Sequence, residues 1–417
     1  MIKKAGIFTL IICLFLVLLS PGLVQAQGEL AILDSSAEAE FPLKLHFNLS
    51  AESVVDITDI RLHYTIDRES YAQVSSEVYI EFVPDTTVDV KWVWDMRNTG
   101  GLPPGTSVEY WWTVRDVNGD KIETTPVRAR VDDERYSWKS MTEGKVTIYW
   151  YDGDLSFARE IMLAAQQALA RLAEDTGAYL KKPVRLYIYA DVRDLQGAMI
   201  FPQEWTGGVA FTRYGVIVIG ISPNNLSWGK RAITHELTHL VIHQMTFNPY
   251  TELPAWLNEG LAMYAEGELE AGYKALLKKA IAEKSLISVR SLSSPFSARA
   301  EESYLSYAQS YSLVEFLITG YGQGKMFELL NIFNEGSSYD EALEKVYGFD
   351  MDGLDTLWGE KVAMPARPSE VKATMPVQLS EKKRMHPALV GTLTIPTTAL
   401  LLVSSLVTES WAWRRGW

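Results

Sequence analysis

Arg231-Ala-Ile-Thr-His235-Glu236-Leu-Thr-His239, continued after a short gap by Trp256-Leu-Asn-Glu259-Gly260, sets two histidines and two glutamates into a helical pattern. The first run reads H-E-x-x-H. Positions i and i+4 lie about 40° apart around a helix, so both imidazoles occupy one face and can share a metal ion. Two histidines are half of a zinc site; an acid from a neighbouring helix completes three protein ligands and leaves the fourth position open for water. A third histidine, His243, lies on the same face. It is eight residues from His235, about 12 Å of helical rise, whereas zinc–nitrogen bonds are about 2.0–2.1 Å. His243 is therefore read as a packing or supporting residue. Pro249 and Pro254 bracket a turn, so a second helix can start near Ala255 and carry Glu259 back across the first.

Here the sequence resembles a known family. Trp256 to Ala262, continuing to Tyr264 and Glu266, is similar to the second metal motif of gluzincin peptidases of the aminopeptidase-N type. The separation of His239 and Glu259 is similar too, and the region 145–362 resembles the compact bacterial peptidase-MA-like domain. The resemblance implies an α+β zincin-like metallopeptidase domain acting on a peptide or protein substrate. It implies that His235, His239 and Glu259 hold Zn2+, and that Glu236 is the general base that takes a proton from metal-bound water. The chemistry agrees, since zinc lowers the pKa of its water toward about 7 and an adjacent carboxylate can carry that proton to the leaving amine. Glu266 would orient a ligand from outside the coordination sphere. A tyrosine beyond the metal helices would stabilise the oxyanion; Tyr304, Tyr307 and Tyr311 are candidates, and Tyr307 is preferred. One element departs from the aminopeptidase pattern. The Gly-Ala-Met-Glu-Asn type of segment, whose acid captures a free amine, has no match before His235, because Thr206 to Phe211 has glycines but no acid. An endopeptidase is favoured over an aminopeptidase.

The rest of the chain gives this domain a setting. With 417 residues, 47% hydrophobic and 22% charged, it is long enough for two or three packed domains. The net charge of -13 and the lack of a basic stripe argue against nucleic-acid binding. Lys3 and Lys4, the apolar run Ile7 to Leu19 and Val24-Gln25-Ala26 read as a signal peptide over residues 1–26. The only cysteine, Cys13, lies inside it, so the mature chain has no disulfide.

Residues 27–135 alternate. Leu43, Leu45, Phe47 and Leu49 share one face, as do Leu62, Tyr64 and Ile66, then Val88, Val90, Trp92 and Trp94, then Tyr110, Trp112 and Val114. With turn signals at Pro103-Pro104-Gly105 and Asn118-Gly119, this predicts an antiparallel β-sandwich of immunoglobulin or fibronectin type, its tryptophans serving as core. A polar connection follows from Asp132 to Gly144. Strands are then expected at Val146 to Tyr151, Val184 to Ile188 and Val216 to Ile221, with a helix from Phe157 to Leu172. Gly207 and Gly208 would admit another backbone at close range or simply make a turn. Helical spacing continues over Glu270 to Ala282, Tyr304 to Ile318, Lys325 to Phe333 and Glu341 to Val346, with a capping box at Ser338 and Glu341. Residues 363–387 read as a proline-bearing linker. Residues 388–407 carry no charge over about 20 residues, enough to span a bilayer core, and Trp411 and Trp413 with Arg414 and Arg415 form a short tail over 408–417. The expectation is a multidomain protein, exported and anchored in the cell membrane by a C-terminal transmembrane helix, with the catalytic domain extracytoplasmic. The alternative is a cell-surface binding or adhesion protein with a non-catalytic peptidase-like domain.

Overall fold

The computed structural model describes residues 30–202, 206–297 and 300–363. The segments read as leader (1–26), linker (from 364), apolar span (388–407) and tail (408–417) lie outside the described residues. Among the described residues no helix is long and apolar enough to cross a membrane. The chain divides into two compact units. Of the described residues, one unit takes those up to 67 with 72–96 and 105–132; the other takes 68–71, 97–104 and those from 133 to 363.

The first unit is built from seven strands, β1 (Ala31–Glu40), β2 (Lys44–Ile66), β3 (Ser76–Tyr79), β4 (Asp85–Asp95), β5 (Thr106–Asp116), β6 (Lys121–Glu123) and β7 (Val127–Val131). Every pairing is antiparallel, as alternating apolar and polar residues dictate. The sequence did not show that one long strand makes pairings along both of its halves. The first half of β2 pairs with β1 and β4, the second half with β3 and β5, and its register slips between Glu52 and Ile57. Strands that switch layers at such irregularities make the corners of packed sheets. Phe47 in the first half meets Tyr110 of β5 edge-on at 5.1 Å, and Tyr64 in the second half meets Trp94 of β4 at 5.0 Å. The two halves thus close over one aromatic core in which Trp112 and Trp94 are buried.

The second unit sets helices against a five-stranded sheet of order β11-β12-β10-β9-β8. Its strands are β8 (Lys139–Glu143), β9 (Val146–Trp150), β10 (Val184–Tyr189), β11 (Gly208–Phe211) and β12 (Val216–Gly220). β9, β10 and β12 run parallel, and the edges β8 and β11 are antiparallel to them. Residues 132–144, read as a polar connection, therefore include an edge strand. Its alternation was hidden because its side chains are mostly exposed and offer no apolar face. The interior strand β12, Val-Ile-Val-Ile-Gly, is wholly buried, as a strand covered on both faces requires.

The helices follow in chain order. α1 (Leu155–Thr176) starts on Asp154, whose carboxylate accepts the Phe157 N–H, and ends on Gly177 in the left-handed region. α2 (Val192–Gln196) is short; α3 (Leu226–Thr246) bears the histidines. α4 (Ala255–Glu266), α5 (Ala271–Glu283) and α6 (Val289–Leu292) come next. α7 (Ala300–Tyr321), α8 (Gln323–Asn334) and α9 (Tyr339–Tyr347) match the expected helical stretches, and α9 has the capping box of Ser338 and Glu341. α10 (Met351–Ala363) was not anticipated; it buries Met351, Leu354 and Trp358. α3 packs between α1 and α4, and α4 packs on α7.

Candidate metal centre

α3 is buried over nearly its whole length from His235 to Thr246, so the side chains of its inner face must find partners inside the protein. His235 and His239 stand one turn apart with ring centroids 4.9 Å apart. The helix α4 that answers them is brought back by a turn built on Asn248. This buried amide donates to the carbonyls of Thr246 at 3.0 Å, Thr251 at 2.9 Å and Phe333 at 2.9 Å. It also accepts from the N–H groups of Tyr250 at 2.8 Å and Thr251 at 2.9 Å. α4 then lies so close to α7 that a Cβ on Gly260 would come within 2.4 Å of the Ser310 carbonyl oxygen. Only glycine fits beside Glu259 there.

Three donor atoms converge as a result. Those of His235, His239 and Glu259, all buried, lie within 4.8 Å of one another. Glu259 Oε2 is 3.5 Å from His235 Nε2 and 3.6 Å from His239 Nε2. Bonds of about 2.0–2.1 Å in a tetrahedron put donors about 3.3–3.4 Å apart, so the set suits zinc. These three atoms also have no hydrogen-bond partner. Buried polar atoms left unpaired are costly, and here three meet at one point. The opposite ring nitrogens are engaged: His235 Nδ1 lies 2.8 Å from Glu266 Oε1, and His239 Nδ1 lies 3.1 Å from Asn258 Oδ1. Each acceptor requires the proton on Nδ1, which turns the Nε2 lone pair toward Glu259. Glu266 is itself held by Arg231 at 2.9 Å, and Arg231 also binds Glu270. The donor set and its outer supports fit a zinc ion.

Electrostatics tell the same story. Burial disfavours a charged His235, yet Glu259 and Glu266 outweigh it and raise its pKa to about 10. His239 shifts the other way: burial lowers its pKa, opposed chiefly by the Glu259 charge. Burial pushes the Glu236 carboxyl up to about 7, opposed chiefly by His235. Both Glu236 oxygens are buried without a hydrogen-bond partner. A carboxyl poised there can take and return a proton near neutral pH.

Of the three tyrosine candidates, Tyr307 is 2% exposed and packs edge-on to Phe296 at 5.2 Å. Burial raises its pKa well above 10, and the next contribution is the Glu259 charge, with Glu236 adding a smaller one. Tyr311 turns elsewhere, donating to Glu315 at 3.4 Å. Tyr304 packs edge-on to Tyr273. His243 stays out of the ligand set: its Nε2 lies 3.5 Å from Glu69 Oε2. Sequence reasoning missed Asn258, Arg231 and Glu270. Asn258 directly precedes Glu259 inside the motif, and Arg231 is four residues before His235 on its face, so both had a positional signal.

A family model of the Peptidase MA superfamily matches residues 164–364. The matched region holds the whole metal centre. Solved structures resemble the chain at low identity. An M1 zinc metallopeptidase from Deinococcus radiodurans is 16% identical over 81% of this chain and 94% of its own, with a TM-score of 0.34. Aminopeptidase A from Legionella pneumophila, in complex with aspartic acid, is 11% identical over 79% of this chain and 50% of its own, with a TM-score of 0.37. OgpA from Akkermansia muciniphila is 10% identical over 25% of this chain, with a TM-score of 0.20, and the match spans 28% of OgpA's own length. A search of curated protein sequences returns no match.

Proposed function

We propose that the protein is a zinc metallopeptidase that hydrolyses internal peptide bonds. The observation that carries this reading is the convergence of three buried, unpaired donor atoms of His235, His239 and Glu259 beside the equally unpaired Glu236 carboxylate. The family-model match over residues 164–364 supports it. His235, His239 and Glu259 would hold the ion. Zinc, when bound, supplies a Lewis acid that polarises the scissile carbonyl and makes a water nucleophilic near neutral pH. Glu236 takes a proton from the attacking water as its oxygen bonds to the carbonyl carbon, and delivers it to the nitrogen as the C–N bond breaks. Tyr307 donates its phenolic hydrogen to the developing oxyanion. Strand β11, Gly208–Phe211, carries no acid; an amine-capturing carboxylate is missing there, which favours endopeptidase action.

The purified protein should contain about one zinc per chain, as the three-ligand open site requires. Glu236→Gln should keep that zinc and lose about 10²–10⁴-fold in peptide cleavage. Cleavage that survives the substitution undiminished would sink the reading. Export and membrane attachment are further parts of the proposal, supported by the apolar run Ile7 to Leu19 and the uncharged residues 388–407. Recovery of the full chain in the soluble cell fraction would refute them.

A further inference from the structure

A cavity of about 440 Å³ opens beside His239 and Asn258 and continues past the next two turns of α3. Its size is that of a pocket able to swallow a large side chain. Ile242, Phe247, Phe211 and Leu253 give it apolar walls. The far wall is Tyr71, from the segment 68–71 that belongs to this unit. Tyr71 stacks on Phe247 with centroids 4.2 Å apart and planes within 11°. Arg213 covers both rings, at 5.9 Å from Tyr71 and 5.8 Å from Phe247.

That wall is fastened in place. The Glu69 N–H donates to the Arg213 carbonyl at 2.7 Å. The Glu69 carboxylate meets both Lys182 and His243, and His243, with Lys182 behind it, holds that carboxyl down at about 2 against the opposing effect of burial. Tyr71 therefore stands on a pinned segment, although half of its surface is exposed. The charged residues around the cavity have both signs: Arg213 over the rings and Glu252 at the exposed rim. No net charge is offered to an occupant, while stacked rings and aliphatic walls are.

The geometry points to this cavity as the specificity pocket of the peptidase, taking one large apolar or aromatic side chain of the substrate next to the scissile bond, with Tyr71 and Phe247 as its selecting residues. The inference rests on the peptidase reading for the position of the scissile bond, but its pocket can be judged separately by binding. The probes are octapeptides of one Gly/Ser host sequence with a single central guest: Phe, Leu, Ala, Asp or Lys. The full-length wild type is assayed for cleavage, with products mapped by mass spectrometry. Glu236→Gln is assayed for binding of the same peptides.

Cleavage should fall at one fixed offset from Phe or Leu and run about tenfold or more faster than for Ala, Asp or Lys guests. Binding to Glu236→Gln should rank the guests in the same order. Phe247→Leu and Tyr71→Ala should each shrink the Phe-to-Ala ratio several-fold while zinc content and the unfolding midpoint stay at wild-type values. Tyr71 is half exposed, so its truncation tests the wall even where Phe247 variants unfold. Guest-independent cleavage and binding, or ratios untouched by both variants, would overturn the pocket. A wild type that cleaves none of the peptides refutes the peptidase reading instead; the binding order with Glu236→Gln then still decides for or against the pocket.

Discussion

His239 and His243 stand one turn apart on the same face of α3, and the helix treats them differently. His239 is 1% exposed, with Nδ1 tied to Asn258 and Nε2 aimed at Glu259. The His243 side chain is 19% exposed, leans on Phe247 with ring centroids 5.0 Å apart, and faces a carboxylate that Lys182 also binds. Residue type and helix face are shared, so neither makes a ligand. What differs is the opposing element: α4 supplies His239 with an acceptor for one nitrogen and a buried acid for the other, whereas the segment 68–71 supplies His243 with an acid already paired.

The sharpest way to break that contrast is to exchange the losses. His239→Ala should abolish stoichiometric zinc binding, exceeding the about 10–100-fold that outer partners control, and should abolish cleavage with it. His243→Ala should keep the zinc. Metal content by mass spectrometry after dialysis reads both. Loss of zinc from His243→Ala at intact fold would show that the two turns are not distinct after all.

The next effect lies one layer out. Glu266 accepts from His235 and takes the Arg231 charge, so Glu266→Ala removes the group that fixes the ring and leaves Arg231 with only Glu270. Zinc affinity should fall about 10–100-fold, measured by competition with a chromophoric chelator, with Glu266→Gln losing less because an amide oxygen can still accept from Nδ1. An unchanged affinity in the alanine variant would reduce Glu266 to a structural partner of Arg231.

These residues also mark how far the sequence could be read. His235, Glu236, His239 and Glu259 were legible because helical spacing fixes which atoms can meet on one face, and because a second helix had an evident start after Pro254. Glu266 was legible through its motif. Arg231 and Asn258 carried the same kind of signal, but their use depends on which rotamer points where. The alternation of the first unit revealed its antiparallel strands. It did not reveal β2 as one 23-residue strand with different partners along its two halves, because a register slip leaves the local pattern on each side intact. The cavity wall at Tyr71 was beyond sequence reading altogether, since residue 71 and residue 247 meet only through tertiary contact.

The smallest predicted effect concerns the turn that makes the contrast possible. Asn248 holds residues 246 to 251 and the end of α8 through its side-chain amide, whose two hydrogens are shared among three carbonyls while its oxygen accepts from two N–H groups, at 6% exposure. Pro249 and Pro254 restrict the same turn through their fixed φ. If the amide is what sets α4 against α3, Asn248→Ala leaves buried N–H and carbonyl groups unpaired and should cost about 1–3 kcal/mol of stability, seen as a lowered midpoint in denaturant. Asn248→Asp should be worse than alanine near neutral pH. It keeps the two accepted bonds but sets a carboxylate against the carbonyls of Thr246, Thr251 and Phe333, which the amide now satisfies as a donor. The order wild type, alanine, aspartate separates hydrogen bonding from mere space filling, because the aspartate side chain has nearly the shape of asparagine. Were aspartate as stable as the wild type, the prolines would be the element that returns α4, and the placement of Glu259 opposite His239 would owe nothing to the Asn248 amide.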